Sequence, residues 1–312
     1  MVEQLALIDE NGRFSSIRRP LGKSTPEESE TRYDNALFQT GRLITGGLYI
    51  QIILKDYVRT ILNLNRTDSK WDLDPRSADG EAVGNQVSAE FNLVYRWHAC
   101  ISRKDEEWTN NLYQQMFPDA QSRSLADIVK RLSDFGKSVP KDPLERRFAN
   151  LTRTKSGSYE DGDLASIFAA SVEDVAGAFG ANQVPEILRD VEILGIMQAR
   201  AWKLASLNEF RKFFKLVPHK TFEDINPDPY VAEQLMRLYD HPDFVELYLG
   251  LVVEDAKHPM TPGSGLCPGY TISRAVLSDA VTLVRGDQFY TVDYIEESHE
   301  RGLHRSRFGS DR

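Results

Sequence analysis

A chain of 312 residues with 41% hydrophobic and 27% charged content has the composition of an ordinary globular protein, long enough to bury a core without disulfides or a structural metal. Its formal net charge of −9 excludes a general nucleic-acid or anionic-membrane surface, because both partners need a basic footprint. With only Cys100 and Cys267 present, a disulfide framework is not expected and a reducing compartment fits.

Residues 1–12 lack the basic start and apolar run of a signal peptide. The most apolar stretch, residues 48–54, contains Gln51 and is far too short for a bilayer. A cytoplasmic protein without a transmembrane segment is expected, with peripheral contact with lipid bodies or membranes left open. Asp34 can cap a long helix through Leu37, Ile44, Leu48, Ile52 and Leu62, whose apolar centre predicts burial. Gly41, Gly46 and Gly47 weaken that helix, which points to close packing against another helix or a flat group. Residues 66–84 read as a polar loop. Helices are then predicted over residues 87–102, 105–117, 124–135 (capped by Ser124, closed by Gly136) and 163–179 (stopped by Gly180). Further helices run from Pro185 towards Leu207, over 229–240, over 242–255 and over 271–284. Residues 257–270 form a loop, 288–294 a short β-like end, and the charged residues 295–312 a disordered tail. The class is mainly α.

One string concentrates the chemistry: "EFNLVYRWH", residues 90–98. On a helix Tyr95 and His98 stand at i and i+3, about 5–6 Å apart at Cβ, with Phe91 one turn before Tyr95 on the same side. An imidazole beside a phenol on an apolar face suits a haem pocket, the histidine offering an axial nitrogen. From spacing alone, however, a histidine on an apolar helix is more often a core residue.

The string resembles the proximal-helix motif of cyclooxygenases. It is more similar still to the tyrosine-arginine-tryptophan-histidine run of fungal linoleate diol synthases and psi-factor-producing oxygenases. Other segments agree in order: "GRLITGGLYIQIILKDYVRTIL" resembles the helix before the proximal one, "NEFRKFF" with "TFEDI" a later helix and its exit, "AEQLMRLYDHPDFVELYLGLVVED" a helix pair, and "LSDAVTLVRGDQFY" the domain's end. The likeness covers about residues 34–294. It implies the proximal half of an animal haem peroxidase-like helical domain, with haem as cofactor, His98 as its axial iron ligand and Tyr95 as the residue whose radical removes hydrogen from an unsaturated fatty acid. Phe91, Val94 and Trp97 resemble substrate-channel positions, though each equally suits core packing. Asn208 resembles the asparagine that accepts a hydrogen bond from the proximal histidine, a partner that fixes tautomer and ring orientation; a helix N-cap is the equal alternative.

Departures from the pattern matter too. The family's peroxide chemistry uses a distal histidine upstream of the proximal one, yet the first histidine here is His98. Residues 1–33 are therefore expected to be a remnant following a missing distal half, and 295–312 resemble neither a family linker nor a haem-thiolate domain. "GSGLCPGY" places glycines around Cys267 as a haem-thiolate loop does, but without its phenylalanine and arginine, so a glycine-proline turn is the better reading. His219, His241, His258, His299 and His304 have no zinc-like spacing and read as surface residues. The implied activity is dioxygenation of an unsaturated fatty acid such as linoleate by molecular oxygen, giving a hydroperoxide, in a truncated form. A catalytically inactive haem-binding or partner-binding fragment is the alternative. A homo-oligomer is compatible with the sequence.

Overall fold

In a computed structural model of the chain, the structure describes residues 1–64, 84, 86–117, 124–146, 148, 151–257, 266, 268–288 and 290. Its helices in chain order are α1 (Val2–Ile8), α2 (Arg13–Ile17), α3 (Pro26–Ile52), α4 (Val58–Ile61), α5 (Phe91–Val94), α6 (Arg103–Met116), α7 (Leu125–Ser138), α8 (Asp161–Val172), α9 (Arg189–Trp202), α10 (Leu207–Phe213), α11 (Phe222–Ile225), α12 (Pro229–Leu238), α13 (Leu247–Val253) and α14 (Tyr270–Gly286). Among the described residues β structure is limited to an isolated bridge between Ser206 and Glu246. None of the described helices is long and apolar enough to cross a membrane.

Caps decide where these helices begin. Reciprocal capping boxes join Thr25 to Glu28, Ser102 to Asp105, Ser124 to Asp127, Ser206 to Glu209 and Thr221 to Asp224. Each satisfies two orphan amides at a helix start, and loss of the cap costs about 1 kcal/mol. The long helix accordingly begins at Pro26, behind Thr25, and not at Asp34. It loosens into a π turn over Ile53–Tyr57 before α4. Close packing explains Gly41, where a Cβ would lie 3.2 Å from the Val2 side chain, but not Gly46, which faces open space.

Four predicted helices are shorter than their apolar patterns suggest. The helix expected over 87–102 is reduced to α5 and a separate 3₁₀ turn, His98–Cys100. That expected over 163–179 stops at Val172, because the chain is drawn away to let the Gly177 amide donate to the Cys100 carbonyl at 3.1 Å. The helix from Pro185 ends at Lys203 in a left-handed turn (φ 55°), and Ser206 caps a new one. The segment 242–255 likewise divides into a 3₁₀ turn at Pro242–Phe244 and α13. Cys267 with most of its loop, most of the segment 66–84, Phe289 and residues 291–312 lie outside the described residues.

The chain forms two compact units, Met1–Phe91 with Ile272–Arg312 and Asn92–Thr271. In the first, Phe14, Ala36 and Leu37 form a core closed by Leu5, Ala6, Ile17 and Tyr33. In the second, α9, α10 and α13 meet closely: a Cβ on Gly250 would stand 2.9 Å from Leu207 Cβ, and Leu93, Ala199 and Tyr248 share a buried cluster. A buried polar knot completes this unit. Arg211 Nη1 donates to Glu254 Oε1 at 2.5 Å and to Thr271 Oγ1 at 2.7 Å, while His219 Nε2 lies 3.1 Å from Glu254 Oε1. His219, expected at the surface, is thus largely enclosed, with only 11% of its side chain exposed; His241 is exposed as expected, and His258, His299 and His304 fall outside the described residues.

Burial pushes the Glu254 carboxyl upward, but the hydrogen bonds of His219 and Thr271 and the charge of Arg211 outweigh it and hold the group below the usual carboxylate range. Stability from this group is therefore complete above the ordinary carboxylate pKa of about 4.3 and is shed as the pH falls through the depressed value. Glu254→Gln leaves the Arg211 guanidinium buried without its counter-charge, an expected loss of about 3–5 kcal/mol in denaturant unfolding at neutral pH. The deficit should shrink as the unfolding experiment is moved to acid pH.

Candidate functional site

The expected single helix across Tyr95 and His98 is interrupted where the Arg96 side chain is captured. The Asn92 carbonyl, which would accept the Arg96 amide in a continuing helix, instead accepts the Arg96 Nε at 3.0 Å, while Arg96 Nη2 reaches Asn92 Oδ1 at 2.6 Å and Gln198 Oε1 at 2.5 Å. Tyrosine, tryptophan, histidine and cysteine are weak helix formers and offer little resistance. Trp97 takes φ −108°, ψ 38°, and His98 opens a fresh 3₁₀ turn. Tyr95 and His98 remain neighbours in sequence but no longer share one helical face.

Around His98 the geometry is specific. Nδ1 is hydrogen-bonded to Glu192 Oε1, and the Tyr248 hydroxyl lies 3.2 Å from the same nitrogen and donates to Glu192 Oε1 at 2.7 Å. Burial, then the neighbouring Glu192 carboxylate, push the Tyr248 hydroxyl well above its ordinary range, so it stays protonated and available as a donor. Among the described residues Nε2 makes no hydrogen bond, and 27% of the His98 side chain remains exposed. A ring fixed through Nδ1 with Nε2 spare is the usual preparation of a metal-binding histidine.

Helix α9 builds this arrangement. Glu192, Gly195 and Ala199 recur at helical spacing on one face. A Cβ at Gly195 would stand 2.6 Å from Arg96 Nη1 and 2.7 Å from Tyr248 Cε1, and the Arg96 guanidinium sits 5.3 Å over the Tyr248 ring. At the other end of the helix, Arg200 Nε and Nη2 donate to the two oxygens of Glu246, at 2.5 and 2.9 Å. These contacts fasten α13, and with it Tyr248, alongside α9.

The remaining expected residues lie in different settings. Asn208 does not meet His98: its amide nitrogen donates to the His219 carbonyl at 2.9 Å and to Asp243 Oδ1 at 2.7 Å, and its oxygen accepts the His219 amide at 2.8 Å. Nor is it the N-cap of α10, a role taken by Ser206. Both alternatives give way to a loop-fastening role, because the carboxamide spends all its donors on residues 219 and 243. Val94 is only 1% exposed, as a packing residue would be. Trp97 is stacked edge-on between Tyr95 (centroids 5.3 Å apart) and Phe179 (5.5 Å), and its buried indole nitrogen has no hydrogen-bond partner among the described residues. Phe91 is half-buried at the start of α5. Glu192 and Tyr248 were not picked out from the sequence; the available signal was a carboxylate sharing a helix face with two small residues.

Other candidate ligands fit less well. Burial pushes the Cys100 thiol up to about 12, so it stays protonated near neutrality and is no thiolate rival. Among the described residues no group of three or more His, Cys, Asp or Glu could hold a bare metal ion, whereas a haem iron asks the protein for a single axial ligand on this side. A cleft of about 550 Å³ beside α9 and α10 does not include His98. Its acids are committed within the fold, Glu246 to Arg200, Asp243 to Asn208 and Glu209 to the Ser206 amide.

Comparison with known proteins gives the family. Residues 25–304 match the animal haem peroxidase family, and the chain belongs to that family. Within it, the chain is 60% identical over 309 residues to Psi-producing oxygenase A of Aspergillus fumigatus, covering 94% of this chain and 28% of that protein. It is 56% identical to the linoleate 10R-lipoxygenase of the same organism over 94% of this chain and 27% of that protein. The chain therefore spans little more than a quarter of these relatives' lengths. The rice (Oryza sativa) fatty acid alpha-dioxygenase shares the fold, with a TM-score of 0.54 at 14% identity, over 97% of this chain and 50% of that one.

The role of position 195 can be tested directly. Gly195→Ala should clash with the Tyr248 ring, which is only 3% exposed and has no room to retreat. Overpacking of this kind costs about 1–3 kcal/mol, readable as a lowered denaturant midpoint. Tyr248→Phe, which adds no volume, should cost less.

Proposed function

We propose that this chain carries the haem-ligating side of a dioxygenase that converts an unsaturated fatty acid such as linoleate to a hydroperoxide. The observation that carries the reading is the state of His98: Nδ1 engaged by Glu192 and Tyr248, Nε2 spare. The high identity to Psi-producing oxygenase A and linoleate 10R-lipoxygenase supports the substrate class. When bound, haem would supply the one-electron oxidation from which a tyrosyl radical is made.

The chain's own residues then have distinct tasks. His98 would hold the haem iron through Nε2. Tyr95, two residues from the half-buried Trp97 ring and packed against it, is the residue whose phenoxyl radical takes a hydrogen atom from the fatty acid and so becomes the phenol. Molecular oxygen adds to the carbon radical so left, and the Tyr95 hydroxyl returns its hydrogen atom to the peroxyl radical, completing the hydroperoxide and restoring the tyrosyl radical. Trp97 and Phe179 give Tyr95 a rigid aromatic backing, which favours a fixed distance between phenol and substrate carbon.

Two substitutions test this in a chimaera completed with the remaining length of Psi-producing oxygenase A. His98→Ala should abolish the ferric haem absorption band; an unchanged band with full occupancy would remove His98 from the role. Tyr95→Phe keeps the ring and deletes the hydroxyl, so haem binding and peroxide-dependent oxidation of a small reducing co-substrate should persist. Linoleate oxygenation should fall to background. Oxygenation at the parent rate would sink the tyrosyl-radical assignment.

A further inference from the structure

We propose that Glu192 is the positioning residue of His98: an anionic acceptor for the Nδ1–H that holds the ring in the tautomer with a bare Nε2 and makes that nitrogen a stronger electron donor. Tyr248 is its keeper. The inference rests on the reading of His98 as a haem ligand but concerns residues to which neither the sequence motif nor the family match gives a role.

The geometry is self-consistent as a proton and charge arrangement. Glu192 Oε1 accepts from the imidazole Nδ1–H and from the Tyr248 hydroxyl, the latter at 2.7 Å. Tyr248 cannot turn away, since it is 3% exposed and its ring is packed against Arg96 and the bare Gly195 backbone. The Glu192 side chain is itself only 19% exposed, so water competes weakly for the bond. A carboxylate so placed draws the Nδ1 proton towards itself and gives the ring partial imidazolate character. An amide partner, such as the asparagine expected here, offers only a neutral acceptor. Asn208 is committed to His219 and Asp243, and the carboxylate stands in the place that the amide was expected to fill.

The experiment uses the 312-residue chain. Before any cofactor is added, nitrogen-15 NMR of the imidazole should show His98 as the Nδ1–H tautomer in the parent, and Glu192→Ala should lose that preference. After reconstitution with haemin, the ferrous iron–histidine stretch and the reduction midpoint potential are compared for the parent, Glu192→Gln and Glu192→Ala, with His98→Ala as control. Expected are a lower stretching frequency and a higher potential in both Glu192 variants, together with a loss of haem affinity of about 10–100-fold in Glu192→Ala. A purely structural role would leave the stretch and the potential unmoved. An Nε2–H tautomer in the parent, or a stretch and potential unchanged in both Glu192 variants while His98→Ala loses the band, overturns the proposal and leaves His98 as ligand. Unchanged haem binding in His98→Ala overturns both.

Discussion

Tyr248 reaches His98 only because position 195 has no side chain. The backbone of α9 comes so near the Tyr248 ring and the Arg96 guanidinium that a single methyl group would collide with both. From that approach follow the bond between Tyr248 and Glu192, the fixation of His98 through Nδ1, and the break in the helix that carries Tyr95, since Arg96 is held by Gln198 on the same α9 and by Asn92. The Arg200–Glu246 pair, at a more exposed position, adds little energy by itself but keeps α13 in register with α9.

A second constraint lies further along the chain. Arg211, His219 and Thr271 converge on Glu254, and a Cβ on Gly269 would fall 2.2 Å from the same carboxylate. A buried charge of this kind is costly to desolvate and is tolerated because every oxygen is bonded. The loop through His219 that Asn208 fastens is thereby tied to the end of α13, so the "NEFR" segment serves the scaffold more than the ligand.

The sequence was most legible where structure is local. Serine followed three residues later by an acidic residue marks helix starts at Ser102 and Ser124, and the predicted helices near residues 105, 124, 229 and 271 lie close to those formed; the same signal at Ser206 lay inside the stretch read as one helix from Pro185. The same signal at Thr25, with Pro26 behind it, marks the true start of α3; Asp34 has the chemistry of a cap but stands inside the helix. Apolar periodicity failed where a tertiary contact overrode it: Arg96, held by Gln198, capturing the Asn92 carbonyl, and Gly177 drawn to Cys100. The motif drew attention to His98. Its partners were not legible, because Glu192 and Tyr248 lie 94 and 150 residues from it, respectively, in sequence, and no spacing rule connects them.

Trp97 also turns the protein into its own optical probe. Its indole is shut between two aromatic rings, whereas Trp108 and Trp202 are 65% and 47% exposed. Emission from this half-buried ring should lie to the blue of theirs, and a strongly absorbing group ligated one residue away would drain it by energy transfer. The arrival of a pigment at His98 would thus be visible as a darkening of the protein's own light, without any label.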